Sequence, residues 1–323
     1  MSKELLLCLA FVLSFALMCF IMPHYISLLK RAGANQNVSE YALKDFKEKG
    51  KTPIMGGLLF DLIPSFIVLI INPSIIKDHK ALVIILSYIS FCLIGFADDI
   101  LILLRHNNDG LAPKLKLILQ FVFAAIIYFI FKDVFDSNIR LPFTSITLNF
   151  GIIYPFFLVL LYAAEANAVN FTDGMDGLCA GVSAIALIAF FIIALTYGED
   201  NIAIIIIAII ASLLGYLVFN HYPAKIFMGD SGSLALGALF ASLGLILKQE
   251  VALFFIGGVF VYEMFCVCLQ LTSVILFHKR IFSYTPIHYA FRLKGIPEKR
   301  IVNYFYLLSA ICATVGLFIA LIG

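Results

Sequence analysis

The chain has 323 residues, of which 63% are hydrophobic and only 13% are charged, with a formal net charge of +2 at pH 7. The charged fraction is about half of that in ordinary soluble domains. So much apolar surface cannot be buried in one soluble core of this size, which excludes a cytosolic globular enzyme. The small net charge gives no indication of a nucleic-acid partner. We expect the lipid bilayer to be the main solvent.

Ten apolar stretches are long enough, or nearly so, to cross a bilayer, because a helical span needs about 17–25 residues. They are residues 5–22, 54–71, 81–97, 115–131, 150–169, 178–196, 202–219, 231–247, 251–277 and 301–322. The eighth stretch is interrupted by glycines and serines. The ninth is too long for one straight span, which predicts a bend or a break. The sequence therefore predicts an all-α polytopic membrane protein with ten transmembrane helices.

The orientation follows from the positive charges. Of the 22 lysines and arginines, 16 lie in or beside the loops after odd-numbered spans. Because loops rich in lysine and arginine face the cytoplasm, we expect both termini to be extracytoplasmic. The cytoplasmic loops of this single integral membrane domain are then residues 23–53, 98–114, 170–177, 220–230 and 278–300. On the outer surface, apolar residues alternate along 139–150 around Thr144 and Ser145, which predicts a small β-hairpin.

Acidic residues at the predicted cytoplasmic helix ends are the first candidates for function. Asp98 and Asp99 end the third span. Adjacent carboxylates repel, so one would be protonated unless a cation lies between them. Anions at the C-terminus of a helix also oppose its macrodipole, so an ordinary helix end explains the pair poorly.

Two further strings combine acids with amides or glycines. Asn167, Asn170, Asp173 and Asp176 recur every three residues, which on a helix gives a polar ladder along one face; a polar seam between helices is the alternative. Asp230 stands where the eighth span begins. Free backbone N–H groups there suit a phosphate, and its carboxylate suits a hard cation such as Mg²⁺. A plain N-cap by Ser231 is the alternative.

Other polar residues carry weaker signals. Lysines at helix ends often extend to the membrane surface without any further role, and a lone loop histidine is usually solvated. Polar residues inside spans can serve packing alone. The residues concerned are Lys49, Lys51, Lys114, Lys116, His288, Asp61, Glu165, Glu263 and Gln270. Acids, amides and lysines at one membrane face suit Mg²⁺-assisted phosphoryl transfer. Motifs of ATP hydrolysis, zinc proteolysis and serine hydrolysis are absent from the sequence.

Five strings in chain order carry a family resemblance. They are KTPIMGG at Lys51–Gly57, GFADD at Gly95–Asp99, NAVNFTDGMDG at Asn167–Gly177, FMGDSGSLALG at Phe227–Gly237 and PIHYAFRLKG at Pro286–Gly295. Over nearly the whole chain the sequence resembles the polyprenyl-phosphate N-acetylhexosamine-1-phosphate transferases, most of all the phospho-N-acetylmuramoyl-pentapeptide transferases. The resemblance implies ten transmembrane helices in a bacterial plasma membrane, with the active site on the cytoplasmic face. Homodimers are common in the family.

The implied reaction is Mg²⁺-dependent transfer of phospho-MurNAc-pentapeptide from UDP-MurNAc-pentapeptide to undecaprenyl phosphate. It yields UMP and lipid I for peptidoglycan synthesis. By motif position, the implied catalytic residues are Asp98, Asp99, Asp230, Lys114 and His288. The implied substrate-binding residues are Lys49, Asn170, Asp173, Asp176, Phe227, Gly229, Ser233 and Gln270. Asp230 would be the metal ligand, Asp98 the base or orienter, Lys114 a phosphate contact, and Phe227 the aromatic that stacks on uracil.

The sequence also departs from the family pattern. Three consecutive histidines are usual after Pro-Ile, but only His288 is kept, followed by Tyr289 and Ala290; Ile54 replaces a threonine. These changes leave open a sister enzyme that transfers phospho-N-acetylglucosamine. A lipid or solute transporter is disfavoured, because the acids crowd one face and no internal repeat is present. A one-step transfer and a two-step route through an aspartyl-phosphate both remain open.

Overall fold

The computed structural model describes residues 1–34, 50, 52–105 and 109–323. Within these ranges the fold is all-α apart from one two-stranded sheet. The helices are Lys3–Arg31 (α1), Gly57–Ile71 (α2), His79–Arg105 (α3), Pro113–Ile130 (α4), Tyr154–Thr172 (α5), Leu178–Thr196 (α6), Asp200–Asn220 (α7), Gly229–Ile246 (α8), Glu250–Ile256 (α9), Gly258–Phe277 (α10), Ile287–Leu293 (α11) and Glu298–Ile322 (α12). The strands are Asn138–Arg140 (β1) and Thr147–Asn149 (β2).

Nine helices in the described part of the chain are long and apolar enough to cross a membrane: α1, α3, α4, α5, α6, α7, α8, α10 and α12. The prediction is therefore confirmed for nine spans. The remaining stretch, 54–71, forms the apolar α2, whose 15 residues give about 22 Å of helix, short of the roughly 30 Å hydrocarbon core. Its first residues are not helical because the Gly56 N–H donates to the Phe227 carbonyl, 2.8 Å away.

The two irregular spans have different outcomes. The predicted ninth span is broken, since α9 ends at Ile256 and α10 begins at Gly258. The eighth becomes α8, which is almost entirely buried and packs between α3 and α5. Its small residues allow this, as in other membrane helix pairs. At Ser242 the hydroxyl lies 2.9 Å from the Tyr162 hydroxyl of α5.

The predicted hairpin near 139–150 is confirmed. The strands β1 and β2 pair antiparallel, with Asn138 opposite Asn149, Ile139 opposite Leu148 and Arg140 opposite Thr147. The hairpin connects the C-terminal end of α4 to the N-terminal end of α5. It therefore lies at the opposite end of these two helices from the acidic residues described next.

Candidate active site

Three carboxylates meet where α3 crosses the first turn of α8. Each of Asp98, Asp99 and Asp230 offers one oxygen, and these oxygens lie within 4.8 Å of one another. We call these three residues the acidic cluster. The helices can approach so closely because of Gly95, where a Cβ atom would lie 2.0 Å from the Asp230 carbonyl oxygen. The sequence suggested that Asp98 and Asp99 end their helix. This is wrong, because α3 continues to Arg105.

The two neighbouring acids of α3, Asp98 and Asp99, contact different partners. Asp99 accepts hydrogen bonds from the backbone N–H groups of Asp230, at 3.0 Å, and Ser231, at 3.1 Å. It thereby caps α8 from another helix and satisfies donors that have no partner within α8. Gly229 makes room for this contact, because it has a φ of +73° and a Cβ there would lie 2.5 Å from Asp99 Oδ2. Gly229 is thus required by backbone geometry.

A lysine joins the other two acids. Lys116 Nζ lies 2.5 Å from Asp230 Oδ2 and 3.0 Å from Asp98 Oδ1. The same Asp98 oxygen accepts from the Leu111 N–H at 2.8 Å. Both ends of this bridge are shielded, since the Asp98 side chain is 4% exposed and those of Lys116 and Asp230 are each 22% exposed. A positive charge is therefore already accommodated between the two carboxylates.

The structure brings Lys116, and not Lys114, to the acidic cluster. Lys114 is exposed, because two residues along a helix correspond to a turn of about 200°. Lys116 precedes Gln120 by four residues, so the two share a face of α4. Gln120 is buried, which shows that this face turns toward the other helices; the sequence alone shows only the spacing between the two polar residues.

The predicted polar ladder is confirmed for its two amides. Asn170 Nδ2 donates to Asp230 Oδ1 at 2.7 Å and to Ser233 Oγ at 2.9 Å. Three residues earlier, Asn167 Nδ2 donates to Gln120 Oε1 at 2.8 Å. One face of α5 therefore orients residues of both α4 and α8, and the amide of Asn170 fixes the oxygen of Asp230 that Lys116 does not contact.

The two acids of the ladder lie beyond the helix, because α5 ends at Thr172. Asp173 is partly buried, and burial together with the nearby charges of Asp230 and Asp176 raises the pKa of Asp173 to about 8. Asp176 is buried, and its Oδ2 accepts from the Ala224 N–H at 2.9 Å. Asp176 thus connects the loop after α5 to the loop before α8, whereas Asp173 remains a titratable group near the acidic cluster.

Phe227 stands two residues before the first residue of α8 and is partly exposed. Its N–H donates to the Pro53 carbonyl at 2.8 Å, and its carbonyl accepts from Gly56. The string around 53–57 therefore lies against the string that contains Asp230. Lys49, which the resemblance implies as a substrate-binding residue, and Lys51 lie outside the described residues.

His288 and Gln270 engage partners of their own. His288 is fully buried on α11, and its Nδ1 lies 2.9 Å from Glu263 Oε1. Its Nε2, which has no hydrogen-bond partner among the described residues, faces Gly174, where a Cβ would be only 2.1 Å away. Gln270 Oε1 accepts from the backbone N–H groups of residues 281 and 282, both at 3.0 Å. His288 therefore lies against the loop that carries Asp173, and Gln270 holds the segment between α10 and α11.

The sequence left Glu263 as a packing residue, yet it organises this second group. One Glu263 oxygen pairs with His288 and the other accepts from the Ile287 N–H at 2.7 Å. Tyr289, which follows, donates from its hydroxyl to the Gly174 carbonyl at 3.1 Å. The signal that could have identified Glu263 is the cost of a carboxylate inside a membrane helix, which makes a specific partner the default expectation.

The acidic cluster could hold a metal ion. Hard divalent cations take carboxylate oxygens as ligands. Asp98 and Asp230 fit best, because the oxygens that face each other already share a cation, the ammonium of Lys116. Asp99 fits less well, since both of its oxygens accept from the backbone of α8. With a divalent cation bound, the site could neutralise a polyanionic substrate such as a pyrophosphate.

Comparison with known proteins gives a consistent result. Residues 81–248 match the family described as glycosyl transferase family 4. The chain is 38% identical over 315 residues to the phospho-N-acetylmuramoyl-pentapeptide-transferase of Staphylococcus carnosus (strain TM300), covering 95% of this chain and 97% of the relative. It is 40% identical over 318 residues to the enzyme of that name from Staphylococcus aureus (strain Newman), covering 96% and 97%. For Staphylococcus saprophyticus subsp. saprophyticus the identity is 40% over 306 residues, covering 93% and 94%.

Proposed function

Because the chain belongs to glycosyl transferase family 4 and, within it, to the phospho-N-acetylmuramoyl-pentapeptide-transferases, we propose that it transfers phospho-MurNAc-pentapeptide from UDP-MurNAc-pentapeptide to undecaprenyl phosphate. The products are UMP and lipid I, an intermediate of peptidoglycan synthesis. The observation that carries the proposal is the bridge from Asp98 through Lys116 to Asp230. It brings an acid of α3 and a lysine of α4 to the acid in the first turn of α8, in a chain similar to these transferases over nearly its whole length.

The proposed topology has ten spans, with α2 as the short tenth, and both termini outside a bacterial plasma membrane. Two observations support it. Positive charge is concentrated in the loops at one end of the spans. The acidic cluster lies toward the same end, near the beginning of α4, the end of α5 and the beginning of α8. Both substrates would then meet at the cytoplasmic face, since UDP-sugars are water-soluble and undecaprenyl phosphate remains in the bilayer.

The proposed chemistry uses few protein groups. An oxygen of the lipid phosphate attacks the β-phosphorus of the UDP-sugar, the bond from that phosphorus to the bridging oxygen breaks, and UMP leaves with the electron pair. Mg²⁺ held by Asp230 and Asp98 would supply charge neutralisation to the pyrophosphate. Asp98 orients or deprotonates the lipid phosphate. Asn170 keeps the Asp230 carboxylate in position, and the ammonium of Lys116 would donate hydrogen bonds to the phosphates.

The nucleotide end of the donor is assigned by position. We propose that Phe227 stacks on uracil, because it is partly exposed and stands three residues before Asp230 in the chain. Asp173, Ser233 and Gly229 would line the same pocket. Asp176, Gln270 and His288 contribute through the loops they hold rather than by direct contact. Lys49 as a uracil contact and a homodimer are proposals that rest on the family alone.

The test is UMP release by the purified protein in detergent with undecaprenyl phosphate and Mg²⁺. UDP-MurNAc-pentapeptide and UDP-GlcNAc are supplied in parallel, because the missing histidines leave the sister activity open. We expect UMP from the muramoyl donor only. UMP from UDP-GlcNAc alone would move the chain to the sister branch, and no UMP from either donor would refute the proposed chemistry.

The same assay separates the two routes. In the one-step route UMP appears only when the lipid acceptor is present. A burst of UMP without lipid, equal to the enzyme concentration, would instead indicate a phosphorylated aspartate, for which Asp98 is the candidate. Near-normal turnover of Asp98→Asn would exclude both roles for this residue.

A further inference from the structure

Lys116 occupies the position that a divalent cation in the acidic cluster would need. Its ammonium lies 2.5 Å from Asp230 Oδ2 and 3.0 Å from Asp98 Oδ1. The remaining oxygens are largely engaged elsewhere. Asp230 Oδ1 accepts from Asn170, and both oxygens of Asp99 accept from the backbone of α8. A cation that binds Asp98 and Asp230 therefore competes with Lys116 for the same two carboxylate groups.

Electrostatics makes this competition strong. Two like charges a few ångströms apart repel considerably when they are shielded from water, and these side chains are at most 22% exposed. The lysine and a divalent cation cannot both remain in close contact with Asp230 Oδ2. Lysine is suited to leave, because its ammonium is a point charge on a flexible four-carbon stem. It also lies near the beginning of α4, which starts at Pro113.

We propose that Lys116 is an exchangeable counter-ion, which neutralises Asp98 and Asp230 while no divalent cation is bound and releases them when one binds, so that its ammonium becomes free for a substrate phosphate. This inference rests on the proposed function, because it takes the cation and the phosphates from there. It assigns one side chain two successive partners. Before the cation arrives, Lys116 prevents repulsion between carboxylates; afterwards it supplies a donor to the pyrophosphate.

The proposal predicts effects of opposite sign on binding and on transfer. Removal of the lysine should make cation binding tighter, because the competitor is gone, and should make transfer slower, because the phosphate donor is gone. A lysine that only stabilises the fold, or one that holds the acids in place for the cation, would not tighten cation binding when removed. Cation affinity without substrate is therefore the decisive measurement.

The experiment titrates Mn²⁺ into the full-length purified protein at one fixed pH and follows the free ion by electron paramagnetic resonance. Lys116→Met should bind Mn²⁺ about tenfold more tightly than the wild-type protein. Lys114→Met is the matched control, since it removes the same charge two residues earlier on α4 from an exposed position. Its Mn²⁺ affinity should stay within about twofold of wild type.

Two further measurements distinguish the proposed effect from misfolding of the variant. Lys116→Arg keeps the charge and should bind Mn²⁺ within about threefold of wild type. Thermal unfolding should begin earlier for metal-free Lys116→Met, because its carboxylates lack a counter-ion, and Mn²⁺ should then raise its midpoint more than that of wild type.

Equal or weaker Mn²⁺ binding by folded Lys116→Met would overturn the inference, and so would equal tightening in Lys114→Met. Absence of any Mn²⁺ binding that depends on Asp230, tested with Asp230→Asn, would overturn it as well. UMP release on the same preparations separates these outcomes from the proposed function. A wild-type protein that releases UMP in an Mg²⁺-dependent way keeps its function even if the lysine exchange is wrong.

Discussion

Among the carboxylates that pair with a basic side chain in the described part of the chain, those of the acidic cluster and Glu263 differ in their access to solvent. In the acidic cluster, Lys116 and Asp230 keep about a fifth of their side chains exposed. In the pair formed by Glu263 and His288, neither side chain is exposed at all. A ligand can therefore reach the first group and replace one of its ion-pair partners. The second group is closed to solvent and acts only by holding the neighbouring loop at Gly174 in position. A buried ionisable pair in a membrane protein is therefore not by itself a reaction centre, and accessibility separates the two cases.

The largest expected effect is that of Asp230→Asn on turnover. The amide keeps the shape of the side chain but removes the charge that a cation and Lys116 require. Because metal neutralisation of a phosphoryl group contributes several kcal/mol, we expect turnover to fall about 10³-fold or more. Initial rates of UMP release measure this. A loss of less than about tenfold would mean that the acidic cluster is not the reaction centre.

The second test separates the adjacent acids within the cluster. Asp99→Asn replaces one of the two oxygens that accept hydrogen bonds from the start of α8 with an NH₂ group, which cannot accept, whereas Asp98→Asn leaves that cap intact. A buried donor that loses its partner costs about 1–3 kcal/mol. We expect Asp99→Asn to lower the unfolding midpoint by about 5 °C, and Asp98→Asn to lower turnover with little change in the midpoint.

Thermal unfolding in detergent, compared with UMP release on the same samples, distinguishes these two roles. The prediction concerns the contrast between the variants, so each one serves as the control for the other. Similar midpoints for the two variants would contradict the assignment of Asp99 as the cap of α8.

The third test addresses the enclosed pair. If Glu263 and His288 act through the loop at Gly174, their removal should displace that loop without removing a reacting group. We expect Glu263→Gln to lower the rate of UMP release about tenfold, mainly by raising the KM for the UDP-sugar. The double variant Glu263→Gln/His288→Ala should cost no more than His288→Ala alone, because the two residues form one unit.

A double-mutant cycle on kcat and KM measures this coupling. Additive losses would show that the two residues act separately. If His288→Ala lowered kcat as much as Asp230→Asn does and left KM unchanged, His288 would instead belong to the reaction centre.

The smallest expected effect concerns pH. The pKa of Asp173 is raised to about 8, so the folded state binds a proton there that the unfolded state releases near pH 4. Stability from this group is therefore present at low pH and is lost as the pH rises toward 8. We expect the unfolding midpoint of wild type to fall by about 1–3 °C more than that of Asp173→Asn between pH 6 and pH 9. Equal slopes would contradict the raised pKa.

Much of the site could be read from the sequence because its strings are local. The acids of the third span, the ladder after the fifth and the aspartate that begins the eighth were all identified, and Asn170 does contact Asp230. Lys116 was harder, because two lysines stand two residues apart and only the packing of α4 against its neighbours decides which one faces inward. His288 shows the converse, since a residue identified by its string lies against a supporting loop rather than with the acids.

The amino-acid sequence by itself determined the solvent of this protein, nine of its membrane helices, the break in the ninth stretch and the hairpin, because hydropathy and turn chemistry act over neighbouring residues. Only the tertiary structure decided that α2 begins late, at Gly57, because residues before it hydrogen-bond to a segment far along the chain. It also decided that Asp99 caps α8 while Asp98 shares a lysine with Asp230. Two adjacent, identical side chains differ only in direction, and direction becomes meaningful only when other helices pack against them.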